Sequence, residues 1–219
     1  MCGRYSIAIE PTEIEDQFRA KFEEPMKPRY NAAPSQMLPV ILNEAPGTVR
    51  FLRWGLMPPW IEKIKKRDGL INVRAETLRD RHTFQHDLKE RRCLVIADGF
   101  YEWKKTAGGG KVPYRITAKD GSPMGFAGIW EVNHDKRGNK VPTFAIITTA
   151  ANKLMAPIHA RMPVIFWPRD KSKWLRDRQP VPNLIERLKP VDDRNLRAYE
   201  VSRLVNKASV DSREVIQPV

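Results

Sequence analysis

Cys2 is the residue of this chain whose position matters most for chemistry. It stands directly behind the initiator methionine, in "MCGRYSIAIE". With Met1 attached, Cys2 is an ordinary thiol near a chain end. With Met1 removed, it carries a free α-amine and a thiol on adjacent carbons, a pair that no internal cysteine has. The other cysteine of the chain is Cys93. Two cysteines make neither a disulfide framework nor a zinc site, and in a reducing compartment both are expected to be free thiols.

Other residues have types that suit acid/base or binding chemistry. His159 sits in "APIHARMPVIF", at the edge of an apolar strand, where a histidine is either a satisfied core residue or an acid/base. Glu102 lies among Phe100, Tyr101 and Trp103 in "ADGFYEWKK". Such an acid either faces solvent or occupies a pocket that raises its pKa and suits proton transfer, and Asp98 raises the same question more weakly. Asn72 and Arg74 alternate with Ile71 and Val73 in "INVRAET", which puts the amide and the guanidinium on one strand face. That face suits a phosphate or sugar ligand, or is a plain solvated surface. His82 and His86 have the i, i+4 spacing of a helical metal pair, without a third ligand in sight. His134 lies in a turn. No metal and no cofactor is expected.

Trp54, Trp60 and Trp103 fall in segments rich in Gly, Pro or charge, where aromatic rings beside basic residues can stack unpaired bases. Trp130 and Trp167 read as core. Lys and Arg number 39 against 26 acids, a net charge of +13. The excess is concentrated in residues 136–189, with twelve basic side chains against three acidic. A domain this basic attracts polyanions, nucleic acid foremost. No apolar run reaches bilayer length and no signal peptide is visible, so a cytoplasmic protein is expected, associated with the nucleoid when bound to DNA.

The elements that must position these residues are mostly strands. Residues 3–9, 37–42 and 48–54 read as strands. So does the long "RCLVIADGFYEWKK", with a bend or bulge at Gly99, followed by "MGFAGIWEV", "PTFAIITTA", "RMPVIF" and "LRAYEVSRLV". A helix is expected over 11–22, with Thr12 and Glu15 as a capping box and Ile14, Phe18 and Phe22 on one face. Further helices are expected near 83–91, 151–157, 169–178 and 183–188. "AGGG" at 107–110 and "KDG" at 119–121 are hairpin turns. No Pro- or Gly-rich linker divides the chain, so one α+β domain over residues 1–219 is expected, with mainly antiparallel pairing.

Six segments occur in an order that points further: "MCGRY", "RYNAAPSQ", "RWGLMPPW", "NVRAETL", "RRCLVIADGFYEW" and "HARMPVI". Together they resemble the SOS-response-associated peptidase (SRAP) family, the abasic-site processing proteins. The resemblance covers residues 1 to about 166 and is weaker over the last fifty. It implies an α+β fold whose mainly antiparallel, bifurcated sheet curls into a small barrel ringed by short helices. It also implies autocatalytic removal of Met1, binding of single-stranded DNA, covalent capture of abasic sites, and a role in the DNA damage response. By motif, the catalytic set is Cys2, Asn72, Glu102 and His159, with Arg74 beside them. The family's common proline is replaced by Ile96 here, within a strand and away from the chemistry.

A ring-opened abasic sugar exposes an aldehyde. The Cys2 amine attacks it to give a Schiff base, and the thiol then closes a five-membered thiazolidine. A lysine makes only the reversible imine. Arg4 and Arg74 are expected to hold flanking phosphates, and Trp103 or Trp54 to stack on a neighbouring base. The expected partner is single-stranded DNA with abasic sites, bound by a monomer. Two other readings remain at this stage: a thiol peptidase acting on other proteins through a Cys2–His159 dyad, and a non-covalent binder of single-stranded or modified DNA.

Overall fold

A computed structural model describes residues 2–57, 69–80, 82–134, 137–176 and 179–219. "GLMPPW", the charged stretch after it and Trp60 thus fall wholly or partly outside the described residues. In chain order come β1 (Tyr5–Ile7), α1 (Pro11–Phe18), β2 (Lys21–Phe22), β3 (Arg29–Ala32), β4 (Met37–Leu42), β5 (Ala45–Trp54), β6 (Asn72–Arg74), α2 (Ala75–Asp80) and α3 (His82–Glu90). They continue with β7 (Arg92–Ala97), β8 (Gly99–Lys105), β9 (Lys111–Ala118), β10 (Met124–His134), β11 (Lys140–Ala150), β12 (Arg161–Pro163), β13 (Ile165–Phe166), α4 (Lys171–Leu175), α5 (Val181–Glu186) and β14 (Leu196–Glu200).

Two sheets carry the fold. One has the order β14-β9-β8-β1-β3 and is antiparallel throughout. The other runs β11-β10-β7-β4-β5 and closes on itself where β11 pairs with β5 in parallel, making a five-stranded barrel. The α+β, mainly antiparallel architecture with a small barrel is the expected one. The strand expected from "RCLVIADGFYEWKK" spans both sheets. It leaves the barrel as β7, bends at Asp98–Gly99, and enters the other sheet as β8. Gly99 sits there because a Cβ would lie 2.9 Å from Arg115 Nε.

Aromatic rings join the two sheets. Tyr5 of β1 lies 5.1 Å from Trp54 and 5.9 Å from Phe126, Phe100 meets Phe126 edge-on at 5.9 Å, and Trp54 stacks on Phe144 at 6.3 Å. Such contacts stabilise a core beyond area burial alone and resist sliding of one sheet on the other.

Three local expectations are corrected. The first helix ends at Phe18, because Arg19 adopts φ 48 and the amides of Arg19 and Ala20 both return to Glu15 O. Its start is set by Pro11 at the first helical position, with Glu10 as N-cap. The capping box therefore does not form, and Glu15 instead accepts from Phe22 N at 3.0 Å and from Lys21. Residues 153–158 form turns rather than a helix, closed by Asn152 Oδ1 accepting from Met155 N at 3.0 Å.

Candidate active site

β1 begins three residues after Cys2 and lies between β3 and β8. Pairing with β8 brings the start of the chain beside Glu102: Tyr101 N donates to Arg4 O at 3.0 Å, and Glu102 follows. Cys2 is fully buried. Its carbonyl accepts from Asn72 Nδ2 at 2.8 Å, and its Sγ lies 3.9 Å from Arg4 O. Asn72 opens β6, which pairs in parallel with β11. Asn72 and Arg74 share a face as the alternation predicts, with Val73 buried between them and Arg74 exposed.

Glu102 is almost wholly buried. Burial pushes its carboxyl above the usual range, against a pull from His159. Its Oε1 lies 3.8 Å from His159 Nδ1. The Cys2 thiol is pushed up by burial first and by the negative charge of Glu102 second. His159 Nδ1 lies 3.0 Å from Arg161 N and 3.1 Å from Arg161 O. A neutral ring protonated on Nε2 accepts from the Arg161 amide. A charged ring donates from Nδ1 to the Arg161 carbonyl and faces Glu102.

Cys2, Asn72, Glu102 and His159 therefore converge, from the N-terminal arm, β6, β8 and the turn before β12. Two buried polar atoms of the site, Asn72 Oδ1 and the Tyr5 hydroxyl, have no hydrogen-bond partner among the described residues. The same burial raises the Tyr5 pKa, and Cys2 adds to the effect.

The remaining candidates divide. Trp103 is half-buried against the cluster of Tyr101, Val201 and Val205, its Nε1 donating to Asn206 Oδ1 at 2.7 Å. Trp54 is not a surface ring: it is fully buried against Tyr5 and Phe144, with Nε1 bonded to Ile71 O at 2.9 Å, so neither face meets a base. Arg4 turns inward, its Nη1 donating to Asn31 Oδ1 and Val205 O, both at 2.8 Å. Asp98 is bound by Ser6 at 2.6 Å and Arg115 at 3.0 Å and is remote from this chemistry. The exposed His86 faces Asp87. Among the described residues no group of three His, Cys, Asp or Glu side chains is placed to hold a metal ion, and no helix is long and apolar enough to cross a membrane.

Sequence reasoning did not single out Glu76 and Arg161. They form a two-pronged ion pair at 2.7 and 2.9 Å, and Arg161 Nη2 also donates to Thr148 O at 2.6 Å. The pair ties the segment bearing Asn72 to the backbone that holds His159. The available signal was an acid and an arginine within the two motif blocks "NVRAETL" and "HARMPVI".

A family model described as SOS response associated peptidase (SRAP) matches residues 1–208. The chain belongs to the SRAP family. It is 40% identical over 222 residues to abasic site processing protein YoqW of Bacillus subtilis, covering 99% of each chain. It is 30% identical over 231 residues to abasic site processing protein YedK of Escherichia coli, covering 100% of each. A crystal structure of a protein from Bacteroides thetaiotaomicron superposes with a TM-score of 0.89 at 26% identity, over the full length of both chains.

Proposed function

We propose that the protein processes abasic sites in single-stranded DNA by capturing them covalently through Cys2, once Met1 has been removed. The convergence of Asn72, Glu102 and His159 on a fully buried Cys2 carries this reading, in a family whose relatives bear the name abasic site processing protein.

Removal of Met1 exposes the amine. The Cys2 thiol attacks the Met1 carbonyl, its proton passing to a neighbouring base, and the Cys2 nitrogen departs with a proton. Water then hydrolyses the thioester, releasing methionine and restoring the thiol. Capture follows on the opened sugar. The amine adds to the aldehyde and water leaves, giving the imine. The thiol then adds to the imine carbon, its proton ending on nitrogen, and the ring closes intramolecularly at high effective concentration. Burial keeps the thiol protonated, so it needs a base close by, and Glu102 is near enough to feel its charge. A carboxyl pushed up by burial holds a proton more readily than an ordinary carboxylate and suits taking one up and returning it. His159 exchanges a proton with the sugar oxygen. Asn72 Oδ1 offers an acceptor to the amine or a sugar hydroxyl. Arg74 contacts a phosphate and Trp103 stacks on a base. The protein acts as a single-domain monomer without a cofactor, in the cytoplasm.

The test is a denaturing gel of Met1-processed protein mixed with a single strand containing one abasic site, with processing checked by intact mass. A heat-stable shifted band that vanishes with Cys2→Ala is expected. No band with fully processed protein sinks the proposal. A band that survives Cys2→Ala assigns the linkage elsewhere.

A further inference from the structure

Asn31 lies in β3 with no solvent exposure. A buried amide must find its partners within the protein. Its Oδ1 accepts from Arg4 Nη1 at 2.8 Å, and its Nδ2 faces the carbonyls of Val205, Lys207 and Val210 at 3.2, 3.0 and 2.7 Å. The amide has one workable orientation: flipped, it would set oxygen against three carbonyl oxygens and NH2 against a guanidinium. Arg4 Nη1 donates to Val205 O as well. One side chain and one loop, residues 205–210, therefore grip the Arg4 guanidinium.

At its other end Arg4 is held by the backbone. Its carbonyl accepts from Tyr101 N, next to Glu102, and lies 3.9 Å from Cys2 Sγ. The 205–210 loop is anchored in turn. Asp211 Oδ1 accepts from Tyr30 N and Asn31 N at 2.6 and 2.8 Å, and its Oδ2 pairs with Arg29 at 3.1 Å. After loss of Met1, Cys2 is a chain end only two residues from Arg4, and chain ends fray unless tied down.

We propose that Asn31 is a positioning residue for Cys2, acting through Arg4, and that the 205–210 loop completes the same device. The proposal rests on Cys2 being the reacting residue. It gives the C-terminal segment, where the family motifs are weakest, a part in the reaction at the N-terminus. A core side chain kept only for stability need not be an amide. Here the amide's two ends are read by different partners, and both partners bear on where residue 4 sits.

The experiment uses full-length, Met1-processed protein under single turnover with a saturating abasic single strand. Asn31→Ala should slow crosslinking roughly tenfold to a hundredfold, the scale of an ångström-level misplacement, and leave affinity for an undamaged strand unchanged. Arg4→Ala should slow it comparably, and the double variant should be no slower than the slower single, as for two parts of one unit. Asn31→Asp, which keeps an acceptor for Arg4 but sets an oxygen against the three loop carbonyls, should crosslink as slowly as Asn31→Ala. A folded Asn31→Ala with the wild-type rate and only a lower melting temperature overturns the proposal, as do effects that multiply. Should Asn31→Ala fail to fold, Arg4→Ala decides: a wild-type rate, or a change in affinity alone, overturns it. Wild-type protein that forms no crosslink overturns the reading of Cys2 itself, before any variant is made.

Discussion

The two cysteines occupy two differently built regions, and both are fully buried. Cys93 sits mid-strand in the barrel, registered against Gly128 of β10 on one side and Leu42 of β4 on the other. Burial alone raises its thiol pKa. Cys2 sits on the arm that leads into the open sheet, held by the Asn72 amide rather than a strand ladder, and its thiol also feels Glu102. Burial as such makes a thiol inert, since the thiolate is the nucleophile. What separates Cys2 is the buried Glu102 carboxyl, whose charge its thiol feels, and a position one peptide bond behind Met1. Exchange of each cysteine for alanine tests this most severely. Cys2→Ala should abolish the crosslink. Cys93→Ala should crosslink at the wild-type rate and lose about 1–2 kcal/mol of stability in urea denaturation, as for a small core truncation. Loss of crosslinking in a well-folded Cys93→Ala would break the contrast.

The next largest effect should come from Glu102→Gln, which keeps the shape and removes the proton acceptor. A general base typically contributes ~10²–10⁴-fold, and single-turnover crosslinking should fall within that range. The pH profile gives the sharper readout. Because the Glu102 pKa is raised, its accepting form is lost on acidification at a higher pH than for an ordinary carboxylate. The rate should therefore fall with decreasing pH in two limbs, one from the α-amine with an ordinary value of ~7.7–8.0 and a lower one from Glu102. Glu102→Gln should erase the lower limb and leave the amine limb. An unchanged profile would remove Glu102 from the proton path.

Much of this was legible in the sequence, for definite reasons. Strands announced themselves by apolar runs and alternation, and the Asn72–Arg74 face followed from period two alone. Cys2, Asn72, Glu102 and His159 were visible as residue types and as motif members, but their meeting depends on the β1–β8, β6–β11 and β11–β12 pairings, two of them between segments more than seventy residues apart and without a local signature. Trp54 misled because its neighbours in sequence are Gly, Pro and charge, whereas its neighbours in space are Tyr5 and Phe144. Arg4 misled because its partners Asn31 and Val205 lie 27 and 201 residues away. The helix end at Arg19 rests on a left-handed conformation at a non-glycine residue, which composition does not announce.

A smaller effect should mark the barrel itself. A Cβ on Gly128 would stand 2.8 Å from Cys93 Sγ and 2.8 Å from Ala145 O, the latter a backbone atom that cannot swing away. Gly128→Ala should cost about 1–3 kcal/mol through overpacking, read as a lower urea midpoint with an unchanged slope. Its crosslinking rate, measured where the variant is folded, should match wild type. A large loss of rate would mean that the barrel wall takes part in shaping the site rather than only supporting it.

Two arginines carry the contrast to its mildest test. Arg92 opens a barrel strand fully buried, and its guanidinium donates to the carbonyls of Trp174, Leu88, Lys89 and Arg176, fastening the ends of α3 and α4. Arg74 is exposed at the end of the strand that begins with Asn72. The second keeps its charge at the surface, with Glu76 within electrostatic reach, where it can replace counterions on a DNA backbone. Each phosphate neutralised on a single strand contributes about 0.7 to the slope of log affinity against log salt, so Arg74→Ala should flatten that slope by about this amount. At saturating DNA its crosslinking rate should stay near wild type, since the proposed function gives Arg74 a phosphate and not the aldehyde. A slope that does not move would take Arg74 off the DNA path. A lower saturating rate would mean instead that its phosphate contact sets where the sugar stands relative to Cys2.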